Sequence, residues 1–159
     1  MLAVSIRSTI MTTHKLVLML LLTPLLSVYA APDTPEATVK AYFAALAKGD
    51  RADAIKLTAR FPKIGDAQIG AMTDSYIESY KRRGSTPSIK NGKALEDCAV
   101  VVTFDSPTDP DPAYLIKQGG AWRVLPKVTQ FNRDYFEFPE ATLGRFRELE
   151  KWFKAQVGK

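Results

Sequence analysis

Apolar positions recur at helical spacing in the stretch TPEATVKAYFAALAKGD, which begins at residue 34. Val39, Phe43 and Leu46 are separated by four and three residues, so they share one face of a helix. Thr34 is the expected N-cap, and Gly49 is the expected end, since glycine readily adopts the left-handed conformation that closes many helices. The pattern therefore predicts a first helix between these two residues.

Two further helices are predicted downstream. A short one lies in RADAIKLTARF, with Asp50 as its cap and Pro62 as its stop. A longer one runs from an Asp66 cap to Gly84 and carries cations in its last turn, where they favour the helix dipole. The apolar face of the longer helix is marked by Ile69, Met72, Tyr76 and Tyr80, with Thr73 and Ile77 beside them.

Beyond Pro87 the apolar spacing changes from helical to alternating. SIKNGKAL contains an Asn-Gly pair that indicates a turn, and CAVVVTF predicts a strand with Cys98, Val100 and Val102 on one face. AYLIK and AWRVLPKV flank a Gln-Gly-Gly stretch and predict a hairpin. Helical spacing returns through Leu143, Phe146, Leu149, Phe153 and Val157. Three helices, a run of strands and a last helix are typical of the α+β class.

The N-terminus has the pattern of a secretory signal peptide over residues 1–30. It is basic and free of acids, and the short apolar run Leu16–Leu22 is followed by TPLLSVYA. The small residues predict cleavage between Ala30 and Ala31. An uncleaved membrane anchor is the alternative, but the run is far shorter than the ~20 residues that span a bilayer. We expect export to the periplasm or the medium without stable membrane insertion, and Met11 is a second candidate start beside Met1.

Composition excludes several classes of site. Without Arg7 and Lys15 of the leader, the formal net charge falls from +5 to +3, which is too mild for a nucleic-acid binder. His14 is the only histidine and lies in the leader, so a Ser-His or Cys-His pair and a histidine-ligated zinc are ruled out in the processed chain. Cys98 is the only cysteine, so no intramolecular disulfide forms, and we interpret it as a buried apolar residue. No cofactor is expected.

The stretch FDSPTDPDP raises the question of a metal site. Asp105, Asp109 and Asp111 are irregularly spaced, and neither a glycine nor a following glutamate completes a calcium loop. Aspartate and proline together are common in turns between strands. We therefore predict a rigid turn and no metal.

Two groups of residues are candidate binding sites. Tyr76, Tyr80 and Trp122 are the predicted lining of a ligand pocket, and the alternative is that they are core residues with polar tips. The last helix carries mixed charges and an aromatic off its apolar stripe, which suggests a partner-binding surface or simply a solvated face. That surface comprises Arg145, Arg147, Lys151 and Trp152.

The sequence resembles the nuclear transport factor 2-like superfamily over about residues 34–128. The resemblance rests on the TPEATVKAYFAALAKGDRADAIKLT opening and on the strand end YLIKQGGAWRV. It implies N-terminal helices packed on a curved antiparallel sheet, a cone with a mouth, in a domain spanning residues 31–128. Residues 129–159 extend beyond the typical ending and are expected to form a helical extension packed on the same domain. Homodimers occur among such domains, and the sequence does not decide between a monomer and a homodimer here.

Two hypotheses of function follow. In the first, the chain is an exported, non-enzymatic domain that binds a protein partner or a small apolar ligand in the cell envelope, as an accessory or immunity-type protein. In the second, it is a cone-type lyase or isomerase using a pocket tyrosine and a carboxylate. Enzymes of the superfamily place Asp, His and Tyr inside the cone. No position here matches that set, so we assign no catalytic residue and favour the first hypothesis.

Overall fold

The computed structural model describes residues 32–126 and 137–158. Three helices come first, then four strands, then a last helix, so the predicted α+β class is confirmed. The elements are α1 Pro35–Lys48, α2 Arg51–Leu57, α3 Asp66–Arg83, β1 Ser88–Leu95, β2 Cys98–Ser106, β3 Asp109–Gln118, β4 Ala121–Val124 and α4 Glu140–Val157.

The caps of the first two helices are those that the sequence predicts. The Thr34 side chain accepts a hydrogen bond from the Ala37 amide at 3.2 Å, and Gly49 ends α1 at a φ of 74°. The Asp50 carboxylate accepts from the Asp53 amide at 3.1 Å and so caps α2. These side chains satisfy amides that have no partner inside the helix.

The end of α2 and the start of α3 differ from the prediction. Helix α2 stops at Leu57, before Pro62, because Thr58 turns extended and forms a parallel bridge with Val124 at the end of β4. In α3 the N-cap is Gly65, which makes no side-chain hydrogen bond, and Asp66 is the first helical residue. The bridge between Thr58 and β4 therefore ends α2 earlier than the local sequence pattern predicts.

The buried face of α3 is also turned relative to the predicted one. Its buried side chains include Ile69, Thr73, Ile77 and Tyr80, whereas Met72 and Tyr76 lie at the margin. Because α3 packs against both α1 and α2, this helix turns Thr73 and Ile77 inward in place of Met72 and Tyr76.

The four strands form one antiparallel sheet in the order β1-β2-β3-β4. The Asn91-Gly92 pair makes no turn, which contradicts the prediction. It lies inside β1, beside a register irregularity between Ile89 and Asn91. The FDSPTDPDP stretch is mostly strand: its first residues end β2 and its last residues begin β3, so only Pro107 and Thr108 turn the chain, which is shorter than the predicted turn. Gly119 and Gly120 turn it from β3 to β4 with positive φ angles, as predicted.

The sheet is covered on both faces. One face, here called the helical-layer face, packs against α1, α2 and α3 and bears Ala99, Val101, Ala113, Leu115, Trp122 and Val124. The other, here called the α4 face, packs against α4 and bears Cys98, Val100, Val102, Tyr114 and Ile116. The alternation predicted for CAVVVTF is confirmed by this division.

Candidate functional site

Three tyrosines lie together between the helices and the sheet. Tyr42 of α1 is 6% exposed, and Tyr76 and Tyr80 of α3 act on its hydroxyl electrostatically. Burial, and then these two neighbours, raise the pKa of Tyr42 well above its usual value, while a side-chain hydrogen bond with Thr58 acts in the opposite direction. The Tyr42 phenol therefore stays protonated and is a hydrogen-bond donor, not a base.

Tyr80 joins this cluster to charged residues at the end of α3. Its ring stacks on Phe43 with centroids 5.7 Å apart, and the Arg83 guanidinium lies 5.5 Å from its centroid. Arg83 also forms an ion pair with Asp105 at 2.5 Å. Burial, followed by the charge of Asp105, raises the pKa of Tyr80, and Arg83 opposes that shift. Asp105 thus lies near Tyr80, one of the predicted pocket residues, but its carboxylate is paired with Arg83.

The structure brings the predicted ligand residues together as parts of a packed core. Tyr80 and Trp122 belong to the cluster on the helical-layer face, and Tyr76 packs against it. Trp122 is 5% exposed, with the Lys117 ammonium 4.9 Å from its ring centroid. Sequence reasoning left Tyr42 out of this set. Its place beside Phe43 in the buried stripe of α1 was the available signal.

An open groove lies on the outer side of α1 and is here called the α1–β1 groove. Its volume is about 380 Å³, within the range of small-molecule sites. Its lining comes from α1 and from the segment that enters β1, and comprises Lys40, Phe43, Ala44, Thr86, Pro87, Ser88 and Ile89. Phe43 connects this groove to the tyrosine cluster through its stack on Tyr80. Tyr76, Tyr80 and Trp122 are not part of the lining.

The predicted partner surface on α4 divides into two kinds of residue. Arg145 contacts Glu96 and lies 3.2 Å from Asp97, which ties α4 to the turn between β1 and β2. Arg147 pairs with Glu140 at 2.5 Å within α4. Lys151 is exposed, and Trp152 is half-buried against the cluster on the α4 face. The two arginines therefore already have intramolecular partners.

Cys98 is fully buried on the α4 face. Its thiol donates a weak hydrogen bond to the Asp97 carboxylate, with 3.4 Å between sulfur and oxygen. Burial raises the pKa of this thiol to about 12, and the hydrogen bond and charge of Asp97 add to the effect. A thiol in this state is a poor nucleophile at neutral pH.

The last features to place are a metal site, a membrane-spanning helix and the predicted cleavage point. Within residues 32–126 and 137–158, no group of three or more His, Cys, Asp or Glu side chains is placed to hold a metal ion. No helix in that part of the chain is long and apolar enough to cross a membrane. The predicted cleavage point between Ala30 and Ala31 lies outside the described residues.

No family model and no curated protein matches the chain. Solved structures with a similar chain path include a protein from Campylobacter jejuni described as an NTF2-like transpeptidase, which is 17% identical with a TM-score of 0.48. That match covers 59% of this chain and 99% of the other. A protein of unknown function from Mycobacterium tuberculosis is 14% identical with a TM-score of 0.37, over 71% of this chain and 86% of the other. The first carries the superfamily name that the sequence resembles, and both likenesses concern the fold alone.

Proposed function

We propose that this chain is an exported, non-enzymatic domain of the cell envelope that holds a small apolar ligand in the α1–β1 groove. The groove itself carries the proposal. Phe43, Ala44, Pro87 and Ile89 offer apolar surface to an opening of about 380 Å³. Small-molecule sites are mostly apolar clefts of this size with a few polar groups at the margin. The export part of the proposal rests on the leader pattern of residues 1–30.

Buried titratable groups on α1, α3 and β2 support binding in preference to catalysis. The Cys98 thiol and the Tyr42 and Tyr80 phenols all have raised pKa values, so they hold their protons at neutral pH. Asp105, whose charge acts on Tyr80, is paired with Arg83. General acid–base chemistry needs a group whose pKa lies near the working pH, and the Cys98 thiol and the two phenols do not meet that need.

The experiment is a titration of the purified, ¹⁵N-labelled chain with decanol, an uncharged apolar probe. We expect amide shifts concentrated at Phe43, Ala44 and Ile89. Ala44→Leu fills the groove and should weaken binding by roughly tenfold or more, because a bulky side chain occupies the site. The matched control is Ala47→Leu, an exposed position on the same helix. Shifts scattered over the surface, or equal binding by both variants, would contradict the proposal.

A partner protein is the second candidate ligand, and α4 is its surface. Lys151 and Trp152 support it, since one is exposed and the other only half-buried. Arg145 and Arg147 contribute less because they are engaged in ion pairs. Capture of a defined envelope protein by the chain, lost in Trp152→Ala and kept in Ala44→Leu, would favour this surface over the groove.

The lyase or isomerase hypothesis keeps one favourable observation, the meeting of Tyr42, Tyr76 and Tyr80 with Asp105 near the last of them. Turnover of a small carbonyl compound by the purified chain, abolished in Asp105→Asn, would establish catalysis and overturn the binding proposal. Unchanged turnover in that variant would point to a contaminating enzyme.

A further inference from the structure

We infer that the ligand of the α1–β1 groove is a small amphipathic carboxylate, with its apolar chain along Phe43, Pro87 and Ile89 and its anionic end at Lys40. The inference rests on the proposed function and adds the chemical class of the ligand. It depends on the polar groups of the groove, on which groups the carboxylates of Glu36 and Asp105 contact, and on the size of the opening.

The polar side chains of the lining are all hydrogen-bond donors. They are the Lys40 ammonium and the Thr86 and Ser88 hydroxyls, and the lining contains no carboxylate. An ammonium is a donor alone, whereas the hydroxyls both donate and accept. The charge of the groove is therefore positive and complements an anion more readily than a neutral or cationic group.

The carboxylates of Glu36 and Asp105 lie against groups other than Lys40. Glu36 lies one turn before Lys40 on α1, but its carboxylate lies over β1, where a Cβ on Gly92 would come within 2.5 Å of the Oε1 atom. Asp105, reached through Phe43, Tyr80 and Arg83, is paired with that arginine. In the described part of the chain, Lys40 has no ion-pair partner. Its charge is thus available to a ligand.

The dimensions favour a small molecule over a macromolecule. The groove is lined by seven residues from α1 and one entering segment, and its volume lies near the lower end of the range for small-molecule sites. Standard protein–protein interfaces involve about 20–30 residues a side. An unbranched carboxylate would place its chain on the apolar lining and its charge at the solvent-facing edge, where Lys40 is exposed.

The test compares decanoate with decanol, two probes with the same chain and different head groups, by amide-shift titration of the purified chain at low salt and neutral pH. We expect decanoate to bind roughly fivefold more tightly, the upper end of what one charged contact at an exposed site gives. Lys40→Gln should bring the two affinities within about twofold of each other, and salt should do the same by screening. Lys48→Gln is the matched control, because Lys48 is exposed on α1 but does not line the groove.

The outcomes separate the two proposals. Equal binding of both probes in the groove would overturn the carboxylate inference and leave the apolar groove standing. An absence of groove shifts with either probe would overturn both. An equal loss in Lys40→Gln and Lys48→Gln would mean that the net charge of the chain attracts the anion, and this also overturns the inference. A loss confined to Lys40→Gln supports it.

Discussion

The two faces of the sheet differ in the kind of side chain that covers them. On the helical-layer face, the cluster includes Tyr42, Tyr80 and Trp122, and its margin opens at Phe43 into a groove. On the α4 face, the helix contributes Phe146, Leu149 and Phe153, and ion pairs lie at its border. Hydroxyl groups and a groove are features of a binding region. A mostly apolar contact with charged edges is typical of a structural one, although Tyr114 also lies on the α4 face.

Under the proposed function, the two faces of the sheet have separate tasks. We place ligand binding on the side of α1 and treat α4 chiefly as the cover of the second sheet face. Because β2 contributes alternate residues to both faces, neither face can be removed without exposing the back of the other. The two faces are therefore expected to unfold together.

The largest expected effect is that of Phe146→Ala. Phe146 is 2% exposed and contacts Tyr114 edge-on, with ring centroids 6.0 Å apart. Its truncation should lower the free energy of unfolding by about 3–5 kcal/mol, as for other buried aromatics. Urea denaturation measures it, and Lys151→Ala, exposed on the same helix, should change stability by less than about 0.5 kcal/mol.

The same variant examines whether the faces are coupled. Trp122 lies on the helical-layer face and Trp152 lies beside the α4 face, so single-tryptophan versions report on each. Coincident unfolding transitions would show one cooperative unit. If the Trp152 signal of Phe146→Ala were lost at lower urea than the Trp122 signal, the two faces would be separable.

Alkaline pH should also destabilise the protein. The pKa of the Cys98 thiol is about 12 in the folded state against 9.0 for an ordinary thiol. Between these values the unfolded chain loses the proton and the native chain keeps it, so stability falls as pH rises, by at most about 1.4 kcal/mol per pH unit from this group. Below pH 9 the contribution is constant. Cys98→Ala should delay the loss until about pH 10, where the tyrosines of the unfolded chain begin to titrate, because burial raises the pKa of Tyr42, Tyr80 and Tyr114 in the folded state. Unfolding curves that keep the same slope between pH 9 and 10 in this variant would contradict the assignment.

The smallest expected effects come from a matched pair of helical glycines. A Cβ at Gly144 of α4 would meet nothing within 4 Å, so Gly144→Ala should stabilise the protein by roughly 0.5–1 kcal/mol through the helix propensity of alanine. A Cβ at Gly70 of α3 would meet the Arg51 guanidinium, which is paired with Asp74 at 2.7 Å. Gly70→Ala should therefore gain little or lose stability. Thermal unfolding compares the two, and an equal gain in both would show that Arg51 moves aside without cost.

Features that depend on neighbouring residues could be predicted from the sequence. The Thr34 and Asp50 caps, the Gly49 end of α1 and the turn at Gly119 and Gly120 each follow from the preferences of a few adjacent residues. The division of CAVVVTF between two faces follows from the two-residue repeat of a strand. Local patterns therefore predicted the α+β class and the approximate bounds of α1, α3 and α4.

The errors occurred where a distant residue decided the outcome. The Asn91-Gly92 pair favours a turn by itself, yet it lies in β1 because β2 pairs with it. The extended conformation of Thr58 follows its bridge to Val124. The candidate site shows the same limit, since the sequence left Tyr76, Tyr80 and Trp122 open between a pocket lining and core residues, and only the structure shows that Tyr80 and Trp122 belong to a packed cluster.

The sequence by itself determined most of the helices and strands, the absence of a histidine after His14 and the presence of a single cysteine, because these depend on residue type and short-range spacing. Only the tertiary structure decided that Tyr42 meets Tyr76 and Tyr80, that Glu36 lies over Gly92 and leaves Lys40 unpaired in the described part of the chain, and that a groove opens beside Phe43. Such meetings depend on how separate elements pack. No spacing along one element encodes them.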